Sequence, residues 1–150
     1  EVDGFGVGTA MATSSDAPSI GLIYKLVEVR RNGRAIGVAK FSPGKATYPG
    51  PKQVFRLRDR SGQFTEDRIA LAGERLARGE PLLLPAIRKG RRVCPAAPLG
   101  EARDRCRKHL LLLPERYRRI DRRAAFPVSY SPRLERMFEQ MRRAALRRVR

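Results

Sequence analysis

Three glycines at alternating positions mark the segment Gly4-Phe5-Gly6-Val7-Gly8-Thr9 as the part of the sequence best suited to bind a ligand. Glycine lets the backbone turn tightly and approach a ligand without a Cβ in the way. If a helix begins here, the N–H groups of Gly8, Thr9 and Ala10 point forward from its N-terminus, where the helix dipole favours a phosphate. The Thr9 hydroxyl offers one more donor. Taken alone, the segment is also typical of a structural glycine turn, because it matches neither a P-loop nor a dinucleotide fingerprint.

The charge balance raises a second function class. The 150 residues include 33 Lys plus Arg against 15 Asp plus Glu, a formal net charge of +18. A small basic nucleic-acid-binding protein is therefore an alternative reading. The basic residues are mostly arginine, however, and cluster over 116–123 and 142–150. No zinc-finger spacing, aromatic RNA-binding strand or KH loop is present, so we expect no specific nucleic-acid partner.

Composition excludes several other classes. Hydrophobic residues make up 41% of the chain, which suffices for a packed core. Apolar runs such as Leu82–Leu84 and Leu110–Leu113 are far shorter than the roughly 20 residues that cross a bilayer, so no membrane association is expected. Cys94 and Cys106 fit reduced thiols in a cytoplasmic protein and no metal site. The chain begins with Glu1 rather than Met, and we expect it to be a piece of a longer protein.

Hydrophobic patterning predicts the elements that position the glycine segment. The strands, which we expect to form an antiparallel meander, are predicted over Ile20–Arg30, Ala35–Phe41, Lys52–Arg58, Phe64–Leu71 and Pro81–Arg88. A short helix is predicted over Thr9–Ser15. Asn32-Gly33 indicates a type I′ hairpin turn, since both positions of that turn need positive φ.

The last third of the sequence is predicted to be helical. One helix covers Gly100–Leu113 and ends at Pro114, and a second begins with Ser131 as N-cap and Pro132 as its first residue. Phe126–Tyr130, between them, is predicted to be extended. Each helix carries an apolar stripe that we expect to face the core: Ala102, Cys106, Leu110 and Leu113, then Leu134, Phe138, Met141 and Ala145.

An ordered series of short blocks resembles nicotinate phosphoribosyltransferase over nearly the whole chain. The blocks are Asp3–Thr9, Thr13-Ser14, Asp16–Ser19, Ile23–Glu28, Ala39–Ser42, Gly44–Gly50, Lys52–Arg56, Pro81–Leu84, Gly90–Arg92, Leu113–Glu115, Phe126–Val128 and Ser131-Pro132. The resemblance implies an α+β segment from the C-terminal part of a type II phosphoribosyltransferase. It would comprise the last barrel strand and phosphate loop over 1–19, the β-rich part of a second domain over 20–97, and two C-terminal helices over 98–150.

The family joins nicotinate to phosphoribosyl pyrophosphate, forming nicotinate mononucleotide and pyrophosphate in NAD salvage. ATP hydrolysis is coupled to the reaction, so the resemblance implies ATP and Mg²⁺, though no residue identified in this sequence binds them. The family's phosphorylated histidine lies upstream, and His109 does not match it. We therefore expect no catalytic residue in this segment, no activity from it alone, and the remainder of the enzyme chain as its partner. A homodimer is also expected. A truncated, inactive remnant of the enzyme is a further alternative.

The resemblance also assigns binding residues. Gly6, Val7, Gly8 and Thr9 are expected to hold the substrate 5′-phosphate, as phosphate sites in barrel enzymes lie in such loops. The loop over Gly44–Gly50 suggests a secondary role for Lys45 and Lys52 in reaching phosphates. An ordinary connecting loop is the other interpretation of this segment.

Overall fold

The computed structural model describes residues 3–4, 6, 8, 11, 13–14, 19, 21–121 and 124–148. Eight strands and three helices lie in these ranges, which confirms the α+β class. In chain order they are β1 Glu28–Arg31, β2 Arg34–Gly37, β3 Lys52–Arg58, β4 Phe64–Leu71, β5 Gly79–Pro81, β6 Ile87–Arg88, β7 Arg91–Arg92, α1 Leu99–Leu112, α2 Glu115–Arg118, β8 Val128–Tyr130 and α3 Pro132–Arg148. No helix in the described ranges is both long and apolar enough to cross a membrane.

A four-stranded sheet with the order β5-β3-β4-β8 is the centre of the fold. The antiparallel pair β3–β4 has the bounds predicted from the sequence, and Gly62, with φ of +87°, lies in its connecting turn. Beyond this pair and the β1–β2 hairpin, the strand order expected of a meander is wrong. Strand β5 returns to the free side of β3, and β8 joins β4 in parallel. A parallel neighbour needs a long crossover, which here includes both α1 and α2.

The Asn32-Gly33 hairpin between β1 and β2 is confirmed, with φ of +51° and +73° at its two central residues. The strand predicted over Ile20–Arg30 is wrong for most of its length, because regular structure begins only at Glu28. Leu22, Ile23 and Tyr24 are 84%, 80% and 96% exposed. The β-branched Ile23 and the aromatic Tyr24 favour a strand, but no neighbouring strand in the described ranges pairs with them.

The strand predicted over Pro81–Arg88 splits into the end of β5 and a separate β6–β7 hairpin. Between them, the side chain of Gln53 takes over the pairing. It accepts a hydrogen bond from the Leu83 N–H and donates one to the Leu83 carbonyl, both at 2.9 Å. A side chain replaces the backbone partner, so the ladder stops there.

Helix α3 packs on the sheet as predicted. The buried Ser131 accepts the Leu134 N–H through its hydroxyl at 3.1 Å, the geometry of an N-cap. Leu134 and Phe138 are buried. Helix α1 departs from the expectation, because none of its residues is buried and its apolar stripe remains partly exposed. A third short helix, α2, follows Pro114 where only two C-terminal helices were predicted. Both cysteines are free thiols.

Candidate anion-binding site

The predicted phosphate loop lies mostly beyond the described residues. Val7 and Thr9 are outside them, as is most of the helix predicted over Thr9–Ser15. Gly6 and Gly8 are exposed, and a Cβ built on either meets no described atom within 4 Å. The carbonyl of Gly8 accepts the Met11 N–H at 3.1 Å. The assignment of these residues to a phosphate stays a prediction.

A cavity of about 680 Å³ contains the other predicted contact, Lys45. We call it the lysine cavity. Its described lining residues come from three stretches of sequence and are Ile23, Lys25, Leu26, Val38, Ala39, Lys40, Gly44, Lys45 and Thr47. They include three lysines and no aspartate or glutamate. The structure thus brings Lys25, Lys40 and Lys45 to one site, although up to 20 residues separate them in sequence.

The backbone of residues 38–50, which we call the lysine loop, explains how this happens. The carbonyl of Val27 accepts the N–H groups of Val38 at 2.8 Å and Gly50 at 2.7 Å, so both ends of the loop attach to one peptide group. That peptide lies two residues beyond Lys25. Within the loop, Lys40 and Thr47 form an antiparallel bridge, so the chain folds back on itself.

The tip of the loop is a tight turn that sets the position of Lys45. The Lys45 N–H donates to the Ser42 carbonyl at 3.1 Å, and the intervening Gly44 has φ of +67°. This left-handed conformation is one that glycine adopts without steric cost. A glycine at this point therefore returns the chain toward Lys40, and the two ammonium groups share one cavity.

The second predicted lysine has a different place. Lys52 does not line the cavity, and its ammonium group donates to the carbonyl of Gly50 at 2.7 Å. Burial lowers the pKa of Lys52 below its usual value. The side chain therefore holds the end of the lysine loop at the start of β3.

The chemistry of the lysine cavity is that of an anion site. Lysine is a compact, strongly hydrated cation with three donors, and several like charges around one cavity raise the local potential for an anion. Lys25, Lys40 and Lys45 are exposed, so a ligand can reach them from solvent. None of the lining residues is a cysteine, serine or histidine that could serve as nucleophile or general base. The arrangement presents three cationic donors to an anion that enters the cavity.

Sequence reasoning missed Lys25 and Lys40, although a signal existed. Lysine is rare in this chain, with only six against a large excess of arginine. Four of the six lie in the blocks that carry the family resemblance, and both missed residues are among them. Rarity of lysine in an arginine-rich sequence, combined with those blocks, would have selected Lys25 and Lys40 together with Lys45.

A second cleft, of about 500 Å³, lies between α1 and the sheet. Its charged groups already have partners in the protein. Arg56 donates two hydrogen bonds to Asp67, at 2.9 and 2.8 Å, and this contact raises the pKa of the guanidinium. His109 packs edge-on against the Phe64 ring with 5.5 Å between centroids. His109 is therefore a packed helix residue, and the cleft is mainly an apolar seam with an internal ion pair.

Metal binding by the described residues has no structural support. No group of three or more His, Cys, Asp or Glu side chains in the described ranges lies close enough together to hold a metal ion.

Comparisons with known proteins find sequences and a structure that are similar to this chain. Residues 76–138 match the model of the nicotinate phosphoribosyltransferase C-terminal domain. Nicotinate phosphoribosyltransferase pncB2 of Mycobacterium tuberculosis is 41% identical over 145 residues, which are 95% of this chain and 30% of that protein. Nicotinate phosphoribosyltransferase of Homo sapiens is 31% identical over 157 residues, covering 90% of this chain and 29% of that protein.

A solved structure agrees with these matches. The crystal structure of human nicotinic acid phosphoribosyltransferase superposes with a TM-score of 0.58 at 26% sequence identity, over 63% of this chain and 23% of that one. The chain spans about 30% of the length of the curated relatives it matches. The resemblance to the C-terminal portion of these enzymes, stated from the sequence, is confirmed.

Proposed function

We propose that this chain, a relative of the C-terminal portion of nicotinate phosphoribosyltransferases, serves as that portion of such an enzyme in the cytoplasm. The complete enzyme joins nicotinate to phosphoribosyl pyrophosphate in NAD salvage, giving nicotinate mononucleotide and pyrophosphate with hydrolysis of ATP. The observation that carries the proposal is the 41% identity to the mycobacterial enzyme over 95% of this chain. The described residues give no specific support to a basic nucleic-acid-binding protein or to an inactive remnant.

The proposed architecture is that of a type II phosphoribosyltransferase. Residues 1–19 end the barrel and carry the phosphate loop, residues 20–97 form the β-rich part of the second domain, and residues 98–150 form its C-terminal helices. The similarity of the fold to the human enzyme supports the assignment. The apolar side chains of Leu22, Ile23 and Tyr24, which are exposed in the chain alone, then face parts of the enzyme that precede this segment.

Within that enzyme, the residues of this chain bind phosphate groups. Gly6, Val7, Gly8 and Thr9 hold the 5′-phosphate through backbone N–H groups and the Thr9 hydroxyl. The lysine cavity holds further phosphate oxygens through Lys25, Lys40 and Lys45. Fixed cations beside a departing pyrophosphate stabilise the negative charge that develops on it, which is a contribution to catalysis that needs no nucleophile.

ATP and Mg²⁺ enter through parts of the enzyme outside this segment. The described residues assemble no cluster of carboxylates for the metal. Glycosyl transfer requires the base, ribose and pyrophosphate to be positioned together, so a segment that supplies only phosphate contacts is inactive alone.

A chimaeric enzyme tests the proposal. The matching segment of the mycobacterial relative is replaced by this chain, and nicotinate mononucleotide formation is measured beside the 150-residue chain alone. We expect activity from the chimaera and none from the chain. Thr9→Val in the chimaera should lower kcat/KM by about tenfold, the order of one lost phosphate hydrogen bond.

The control is Thr65→Val, which alters an exposed threonine on β4 by the same change and should leave the rate unaltered. A folded chimaera without activity contradicts the assigned function. Synthesis of nicotinate mononucleotide by the isolated chain contradicts the location of the catalytic residues outside it.

A further inference from the structure

Four aromatic rings join the lysine loop to the C-terminal end of the fold. Tyr48, in the loop, stacks on Tyr130 of β8 with centroids 4.0 Å apart and on Phe138 of α3 at 4.3 Å. Phe41, at the other end of the loop, contacts Phe138 with centroids 5.1 Å apart. We call these residues the aromatic clamp. Phe138 touches both ends of the segment that carries Lys45, so one side chain of α3 fixes the loop at two points.

The neighbouring backbone fits α3 with little free space. A Cβ on Gly37 would lie 2.9 Å from Cε of Met137 and 3.1 Å from Cβ of Pro49. Pro49 itself is fully buried. The backbone at Gly37 therefore lies close to α3, and a side chain there would require Met137 and Pro49 to shift. The helix and the loop form one packed unit at this point.

The part of the loop between its two anchors is exposed. Residues 42–46, which include Lys45, are open to solvent, whereas Thr47, Pro49 and Gly50 are buried. The described contacts that hold the Lys45 backbone are its turn to Ser42 and the bridge between Lys40 and Thr47. Both depend on the flanking residues Phe41 and Tyr48 staying in place. The aromatic clamp therefore flanks the segment that carries Lys45 on both sides.

We propose that Tyr48 and Phe138 are positioning residues for the anion that binds in the lysine cavity, so that α3 controls phosphate affinity from outside the cavity. This inference rests on the proposed phosphate-binding role of Lys25, Lys40 and Lys45. Neither Tyr48 nor Phe138 lines the cavity.

Preorganisation is the physical basis of this role. Lysine carries large side-chain entropy, and neighbouring ammonium groups repel each other, so a loose loop would spread its charges before a ligand arrives. A loop that is fixed against α3 keeps the ammonium groups close together before the ligand arrives. No further free energy is then needed to bring them together when the ligand binds. Loss of the clamp then lowers affinity without removing a single contact to the anion.

The test uses the 150-residue chain with inorganic pyrophosphate as the probe, measured by titration calorimetry. Tyr48→Leu removes the stacking and should weaken pyrophosphate binding by about fivefold, within the range of couplings transmitted through packed side chains. Tyr48→Phe keeps the ring and should retain the affinity of the unmodified chain. Tyr130→Leu removes the stacking partner from the opposite side and should behave as Tyr48→Leu does.

A matched control separates positioning from general destabilisation. Phe64→Leu removes a buried aromatic ring from β4, away from the lysine loop, and Phe64 packs instead against His109. It should lower the stability of the chain and leave pyrophosphate affinity unchanged. Hydrogen exchange at the Lys45 and Thr47 amides gives a readout that needs no ligand, and it should be accelerated by Tyr48→Leu and not by Phe64→Leu.

The outcomes separate the two proposals. Pyrophosphate binding that Lys45→Ala weakens and Tyr48→Leu does not overturns the positioning role and leaves the phosphate site intact. Equal losses from Tyr48→Leu and Phe64→Leu also overturn it, since stability alone would then explain the effect. An unmodified chain that binds no pyrophosphate overturns the phosphate role of the cavity, and the positioning role with it.

Discussion

Lys40 and Thr47 face each other across an isolated antiparallel bridge, in which each N–H donates to the other's carbonyl, at 3.1 and 2.8 Å. The bridge closes the intervening residues into a narrow loop, so Lys45 lines the same cavity as Lys40. Two cations that sequence separates by only a short, exposed turn are thereby held on the same side of the fold.

The first prediction separates the lysine cavity from the general basic character of the protein. Lys45→Ala and Lys40→Ala should each weaken pyrophosphate binding by about tenfold at low ionic strength, because each removes a cation from the cavity. The slope of affinity against salt concentration should also decrease. Lys108→Ala, on the exposed face of α1, is the matched control and should change neither quantity. Equal losses from all three variants would mean that the net charge of +18 attracts the ligand without a site.

The second prediction concerns the start of α3. The Ser131 hydroxyl donates to Glu74 at 2.7 Å and caps the helix by accepting the Leu134 N–H, and the residue is fully buried. Ser131→Ala leaves a part-buried carboxylate oxygen without this donor and removes the cap. We expect a loss of about 1–3 kcal/mol in the free energy of unfolding.

Urea denaturation measures the effect of Ser131→Ala. Ser61→Ala is the control, since the Ser61 hydroxyl makes an exposed bond to Asp59 in the β3–β4 turn. It should cost well under about 1 kcal/mol. An unchanged midpoint for Ser131→Ala would show that the cap and the buried hydrogen bond contribute nothing net.

Local sequence rules predicted the parts of the fold that are stabilised locally. The bounds of β3 and β4 and the Asn32-Gly33 turn follow from alternation and turn chemistry, which act over a few residues. Ser131 could likewise be identified as an N-cap from its neighbours. The parallel pairing of β8 with β4 could not, because Asp67 and Val128 meet only after a long crossover. No local signal encodes which strand a distant segment joins.

Elements whose apolar faces lack a partner were predicted less well. Leu22 and Tyr24 have the composition of a strand and lie in an irregular, exposed segment. Leu110, on the stripe of α1, is 50% exposed. Both segments have apolar patterns that predict burial, and in the described chain none of these residues is buried. The candidate site was likewise predicted only in part. Lys45 was identified within its loop. Lys25 lies near that loop only because the Val27 carbonyl accepts hydrogen bonds from both ends of it.

The third prediction tests the ion pair in the cleft between α1 and the sheet. Arg56 makes a two-point contact with Asp67 and lies 4.9 Å from the Phe64 ring centroid, and both charged side chains are at most one-quarter exposed. Arg56→Lys keeps the charge and loses the planar fork and the contact over the ring. We expect a loss of about 1–2 kcal/mol in unfolding free energy.

Arg60→Lys, in the exposed turn after β3, is the control for Arg56→Lys and should alter stability by less than about 0.5 kcal/mol. Guanidinium or urea titration of the two variants and the unmodified chain gives the comparison. If Arg56→Lys is as stable as the unmodified chain, the positive charge alone explains the contribution of the ion pair to stability. The planar geometry of the guanidinium group then adds nothing to the free energy of unfolding.

The last prediction follows from the environment of Tyr48. Burial raises the pKa of its hydroxyl above the usual value of 10.0, and the negative charges that Tyr130, Glu135 and Glu139 carry when ionised raise it further. Above pH 10 the unfolded chain ionises this tyrosine first, so the folded state loses stability as pH rises through the folded pKa. Lys52 acts in the opposite direction, because its lowered pKa makes the folded state lose its proton first.

Tyr48→Phe should therefore show a smaller fall in Tm between about pH 9 and 11 than the unmodified chain. The contribution of Lys52 is common to both proteins and cancels in the comparison. Tyr24→Phe is the control, because Tyr24 is 96% exposed, and it should follow the unmodified chain. A Tyr48→Phe variant that also follows the unmodified chain would contradict the role assigned to Tyr48 in alkaline unfolding.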